Sequence, residues 1–226
     1  MSIQLPGEDE AYRKARAELL EAERSLRREV ERVAALRRAL PPGGLLPTDY
    51  VFEERAPSGE PREVALSELF ALPGKSLLLY SFMYAEGTTP CPMCTSFLDS
   101  LNGVAPHVRG VMNLAVVARG PIGQVVDWAD QRGWSALRML SSAGNTYHAD
   151  YLSEAPNGAQ IPMINVFRRD GDVIRHFWSS EMFFAENEDG QHPRHVDMAF
   201  PLWNLLDYTP EGRPADFFPQ LAYDGD

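Results

Sequence analysis

The chain holds two cysteines, and only Pro92 and Met93 stand between them. Two thiols at that spacing can do what a lone cysteine cannot. One attacks a disulfide as a thiolate; the other, one helical turn on, attacks the resulting mixed disulfide and releases the product. Such a pair needs a device that keeps one thiol ionised near neutral pH. A helix start supplies it, through unpaired amide N–H groups and the positive end of the helix dipole. Cys91 follows an apolar run and the loop Glu86-Gly87-Thr88-Thr89-Pro90. Pro92 suits a first helical turn, and Thr95 to Val108 reads as a helix in which Pro106 marks the last turn. The arrangement assigns attack to Cys91 and resolution to Cys94. A secreted disulfide scaffold would use more cysteines at wider spacings, and a structural zinc site draws on roughly four ligands. The other readings of the pair are a metal- or copper-handling site and two inert thiols.

The elements that must position this pair can be read on either side of it. Ser76 to Tyr84 is a nearly continuous apolar run, the mark of a strand buried on both faces of a sheet. Val111 to Ala118 is a second such strand. A helix runs from Pro121 to Arg132 with Gly133 as its stop, and Leu137 to Leu140 is a third strand. Gly144 to Gly158 reads as irregular. Asp170-Gly171 between Met163–Arg169 and Asp172–Trp178 signals a hairpin. Further out, Glu8 to Leu40 reads as one long helix whose apolar residues make a single stripe, ended by Pro41-Pro42. The stripe is either a homodimer seam or a face packed on the protein's own core. A short strand at Tyr50–Glu53, a short helix at Ser67–Phe70 and a helix at Val196–Leu206 complete the reading. Strands alternating with helices, then a hairpin, predict an α/β sheet, parallel in part and antiparallel at one edge. The expected division is 1–44 for the amphipathic helix, 45–180 for the α/β domain that carries the cysteine pair and 181–226 for an acidic extension packed on that domain.

Composition narrows the function class. The net charge of −11 argues against gripping a phosphate backbone, so no nucleic-acid partner is expected. From Ser180 onward ten acidic residues face only Arg194 and Arg213, which reads as a solvated surface. No apolar run approaches the roughly 20 residues that span a bilayer, and no signal-peptide core precedes the first helix. No membrane association and a cytoplasmic location are expected. No glycine-rich loop has dinucleotide spacing, and no cofactor or metal is expected.

The order strand, Cys-Pro-Met-Cys, helix, strand, helix, strand, Ile161-Pro162, hairpin resembles the thioredoxin superfamily. More narrowly, the chain is similar to a bacterial thioredoxin-like family long catalogued as a domain of unknown function. The matching residues are Arg37-Arg38-Ala39-Leu40-Pro41, Asp49-Tyr50-Val51-Phe52-Glu53 and Tyr80-Ser81-Phe82-Met83. They continue with Cys91-Pro92-x-Cys94, Asp99, Asn102-Gly103, Arg119-Gly120-Pro121, Gly133-Trp134, Ser141-Ser142 and Asp207-Tyr208-Thr209-Pro210-x-Gly212-Arg213. The resemblance implies a thioredoxin-like central mixed sheet flanked by helices. It also implies thiol-disulfide exchange with a disulfide-containing substrate and a thiol reductant. It further implies a cis-proline at Pro162 facing the cysteines, with the backbone of Ile161 offering hydrogen bonds to an extended substrate. The chain departs from thioredoxin in three ways. No tryptophan precedes Cys91, the strand before it carries no Asp to take a proton from Cys94, and the segment from Cys94 to Pro162 is longer.

That longer segment is closer to the peroxiredoxin branch, and Thr88 stands three residues before Cys91 as a threonine does there. Tyr84, however, occupies the place of that motif's proline. A peroxide reductase is therefore one alternative, and a non-catalytic binding or assembly module is the other. His192-Pro193-Arg194-His195, with Asp197, reads as a solvated loop rather than a metal site. His176 reads as a residue of the sheet's polar face, and Trp128 and Trp134 as packing.

Overall fold

The computed structural model describes residues 5–186, 189, 197–214 and 216–223. The chain divides into two units, Met1–Pro41 and Pro42–Asp226. The first is helix α1 (Glu10–Arg38). The Asp9 carboxylate caps it by accepting the Tyr12 N–H at 2.7 Å. Arg37 and Arg38 lie in its last turn, where cations suit the dipole. Pairs such as Arg24–Glu21 at 3.4 Å and Arg28–Glu21 at 3.2 Å lace its surface. No residue of α1 is buried, and Leu19, Leu20, Leu26 and Leu36 are exposed.

The second unit is built on a seven-stranded sheet of order β2-β1-β5-β4-β3-β6-β7. The strands are β1 (Val51–Arg55), β2 (Pro61–Ala65), β3 (Leu77–Phe82), β4 (Asn113–Ala118), β5 (Met139–Ser141), β6 (Met163–Asp170) and β7 (Val173–Ser179). The helices are α2 (Pro92–Val108), α3 (Ile122–Gln131), α4 (Tyr147–Asp150) and α5 (Pro201–Leu206). β3, β4 and β5 run parallel; β6 and β7 are antiparallel to their neighbours, as are β1 and β2. Helix α2 carries the chain from β3 to its parallel neighbour β4, and the hairpin β6–β7 flanks β3 on its other side. This is the thioredoxin-like arrangement.

Each central strand feeds two cores, because side chains alternate across the sheet. From β3, Tyr80 and Phe82 join α2, α3 and α5 on one face; Leu77 and Leu79 join Tyr50, Phe52, Tyr147 and Phe167 on the other. From β4, Val116 and Ala118 go to the first core, Ala115 and Val117 to the second. Burial on both sides is why β3 and β4 read as unbroken apolar runs.

Several expectations need correction. The sheet is antiparallel at both edges, because β2 forms an edge strand that the pattern did not show. Its sequence, Pro-Arg-Glu-Val-Ala, opens on proline and is mostly polar, which an edge tolerates. Helix α2 begins at Pro92, three residues before Thr95, and continues past Pro106. Gly144–Gly158 contains the one-turn helix α4. Among the described residues after Asp189, Pro201–Leu206 is the α-helical segment and Asp197–Ala199 is a 3-10 turn; Val196 and the His192–His195 loop lie outside the described residues. His176 does not sit on a polar face. Its ring packs on Phe167 and Tyr151, and Nε2 lies 3.0 Å from Asn165 Oδ1. Among the described residues, no helix is long and apolar enough to cross a membrane.

Candidate active site

The site lies where β3 ends and α2 begins. The loop between them is held from behind by the next crossover. The Gly120 N–H donates to Tyr84 O at 2.8 Å, the Gln124 amide donates to Ala85 O at 2.8 Å, and the Gly87 N–H donates to Gln124 Oε1 at 3.2 Å. A Cβ on Gly120 would stand 3.0 Å from the Gln124 amide nitrogen and 3.1 Å from Tyr84 O, so this close backbone approach favours glycine. Thr88 closes the turn. Its hydroxyl donates to Ala85 O at 2.9 Å and accepts from the Ala85 N–H at 3.1 Å.

Cys91 is the N-cap of α2. Its N–H donates to Met83 O at 3.1 Å, and its carbonyl accepts the first helical bond from Thr95 at 2.9 Å. Its sulfur, partly exposed, accepts the Cys94 N–H at 3.4 Å. The thiol of Cys94 and the helix-start amides of Cys94 and Met93 hold the Cys91 pKa down to about 6, against the opposing effect of burial. Cys91 is therefore mostly thiolate at pH 7, while no basic side chain is needed to make it so. Cys94 is wholly buried. Burial, and then the neighbouring Cys91 sulfur, push its pKa well up; Tyr80 and the Met83 backbone partly oppose this. Both cysteines are free thiols.

Ile161 and Pro162 lie at the same end of the sheet, since Met163 at the start of β6 pairs with Ser81 near the end of β3. The Ile161–Pro162 peptide is trans, contrary to expectation. The Ile161 N–H is also committed, donating to Ser153 O at 2.9 Å. The reason is local. Residues 153–161 close on themselves, with Ala155 N–H to Ala159 O and Gly158 N–H to Ala155 O, both at 2.8 Å. The chain then enters β6 through the trans isomer, which X-Pro bonds prefer by about 0.5–1 kcal/mol.

The sequence reading missed what holds α2 in place. Asp99 accepts the Trp134 indole N–H at 2.8 Å and pairs with Arg132 at 2.5 Å. Asn102 Oδ1 accepts the Ala136 N–H at 2.9 Å. The motif residues Asp99, Asn102 and Trp134 thus form one clamp between α2 and the turn after α3. Trp134 also packs edge-on against Phe82, as a packing residue should. The reading missed Tyr80 as well. Its ring lies in the same core cluster as Cys94 and packs at a tilt on Phe97, with centroids 4.8 Å apart. Strand alternation pairs Tyr80 with Phe82, but only the packing of α2 shows which face meets the cysteines.

Solved structures with related chain paths include an AhpC from Enterococcus faecalis. It is 15% identical, with 71% of this chain and 89% of that one covered, at a TM-score of 0.48. A cysteine-to-serine mutant of peroxiredoxin Q from Xanthomonas campestris is 12% identical, covers 74% and 96%, and scores 0.47. A hypothetical protein from Sinorhizobium meliloti 1021 is 18% identical, covers 71% and 81%, and scores 0.43. Similarity of this degree says nothing about activity. No curated protein matches the chain in sequence. The profile of one family, described as bacterial protein of unknown function (DUF899), matches residues 3–223, nearly the whole chain, and the chain belongs to that family.

Proposed function

We propose that this protein is a thiol-disulfide oxidoreductase in which Cys91 attacks and Cys94 resolves. The observation that carries the reading is the asymmetry of the pair. One sulfur is a partly exposed helix N-cap with its pKa held at about 6, and the other is buried one turn on with its pKa raised. The Cys91 thiolate attacks one sulfur of a substrate disulfide, forms a mixed disulfide and expels the other sulfur as a thiolate. Cys94 then loses its proton and attacks the Cys91 sulfur. The Cys91–Cys94 disulfide forms, the second substrate sulfur leaves, and the departing thiolates take up the protons. Two electrons pass to the substrate, and an external thiol reductant restores the pair.

The Ile161 N–H is used within the chain, where it donates to Ser153 O. The peroxide-reductase alternative loses support because the Thr88 hydroxyl is bonded in both directions to Ala85.

The test is equilibration of the protein with glutathione redox buffers, read by mass. Reversible loss of about two mass units, with a defined midpoint, is expected for a redox-active dithiol. Cys94→Ser should trap a glutathione adduct on Cys91, and Cys91→Ser should trap little. Two thiols inert to oxidised glutathione would overturn the proposal and favour a binding module.

A further inference from the structure

Tyr80 sits in the middle of β3, wholly buried, between the apolar residues of the core. Its ring is well used, stacking on Phe97. Its hydroxyl is not: it has no hydrogen-bond partner of ordinary geometry. A buried hydroxyl without a partner is a cost that phenylalanine would avoid while keeping the ring contacts. That hydroxyl lies in the same buried cluster as the Cys94 thiol; after burial itself, Cys94 raises the pKa of Tyr80, while Tyr80 opposes the rise in that of Cys94.

Apart from the Thr95 hydroxyl, buried next along α2 and also without a partner, the surroundings offer Cys94 little else. β4 contributes Val116 and Ala118 to this cluster, β6 contributes Ile164, and α3 contributes Val125, Val126 and Ala129. From α5 and the residue before it come Trp203 and Phe200. β3 carries no carboxylate, Glu86 is exposed on the loop, and Asp99 is taken up by Arg132 and Trp134. The titratable groups acting on Cys94 are Cys91 and Tyr80.

These two act at different stages. Before reaction, the Cys94 thiol can donate to the Cys91 thiolate. Once Cys91 is tied up in a mixed disulfide, that acceptor is gone, and Cys94 must itself become a thiolate in an apolar pocket. We propose that Tyr80 is a third functional residue of the site, its hydroxyl donating a hydrogen bond to the Cys94 sulfur as that sulfur becomes the resolving thiolate. The inference rests on the oxidoreductase reading for its kinetic consequence. The phenol keeps its proton throughout. The proton lost by Cys94 passes to the departing substrate thiolate, and the new S–S bond forms as the mixed S–S bond breaks.

A charge-assisted hydrogen bond worth about one pKa unit changes the thiolate fraction about tenfold. Higher intrinsic nucleophilicity at higher pKa returns part of this, since the Brønsted slope is about 0.4–0.5, so a net slowing of about threefold is expected.

The test uses Tyr80→Phe in the full chain. Cys91 is first loaded with 2-nitro-5-thiobenzoate, whose release is coloured and reports resolution. The variant should resolve about threefold more slowly at pH 7, with unchanged pH dependence of Cys91 alkylation and a melting temperature equal to or above the parent's. In parallel, the 13Cβ shift of Cys94 is titrated in Cys91→Ser, with and without Tyr80→Phe. The Cys94 inflection should rise by about one unit when the hydroxyl is removed. Equal resolution rates together with equal Cys94 titrations would overturn the inference. A wild-type mixed disulfide that Cys94 never resolves would overturn the oxidoreductase reading instead, and the titration would still decide the role of Tyr80.

Discussion

The first turn of α2 and the turns that follow it are held in opposite ways. At the first turn the backbone is bonded but the side chains are not: the Cys91 sulfur has a 3.4 Å contact from the Cys94 N–H, and the buried hydroxyls of Tyr80 and Thr95 have no ordinary partner. One to three turns further on, Asp99 and Asn102 are bonded at 2.5 to 2.9 Å to Arg132, Trp134 and Ala136. The difference separates two jobs. The clamp holds the helix axis against the sheet, and the loosely bonded start of the helix is left free for a sulfur to change partners. Substitutions in the first turn should therefore alter reactivity more than stability, and substitutions in the clamp the reverse.

The largest effect expected is between the two thiols. Iodoacetamide at pH 7 should alkylate Cys91 in Cys94→Ser about a hundredfold faster than Cys94 in Cys91→Ser. A thiol near pKa 6 is mostly ionised there, and one at or above 9 is about 1% ionised, before burial slows it further. Comparable rates would erase the asymmetry on which the proposed roles depend.

Next comes the pH dependence of Cys91. Its alkylation rate should rise with pH through an inflection near 6 and then level off. The Cys94 thiol is the foremost cause of that low value, so Cys94→Ala should raise the inflection. A rise of about one unit would slow alkylation about fivefold at pH 6, because less thiolate is present at a given pH. Cys94→Ser retains a donor and should fall between. The same inflection in all three proteins would assign the low pKa to the helix start alone.

In the clamp, Asp99→Ala leaves the buried Trp134 indole N–H and Arg132 without their acceptor. A loss of about 1–3 kcal/mol in urea unfolding is expected, with part restored in Asp99→Asn. The Cys91 inflection should stay within a few tenths of a unit. A larger shift would show that clamp and site are not separable. Gly120→Ala should cost the least, about 1–2 kcal/mol by the same measurement, from the 3.1 Å approach to Tyr84 O. No loss would show that the loop before Cys91 can move aside.

The cysteine pair, the helix after it, the two central strands and the Asp170-Gly171 hairpin were legible in the sequence because each is a local pattern. Spacing, apolar periodicity and turn chemistry act within a few residues. The place of Cys91 at the start of a helix belongs with these, since the helix start is encoded beside it. Tertiary structure alone decided what lies far apart in the chain. Edge strand β2 is polar and is a strand only because β1 pairs with it. Asp99 meets Trp134 across 35 residues. Tyr80 carries the same alternation signal whether it faces Cys94 or the opposite core. A strand's pattern says that both its faces are buried, but not which face a distant helix will cover, and that choice placed the Tyr80 ring and Cys94 in one core.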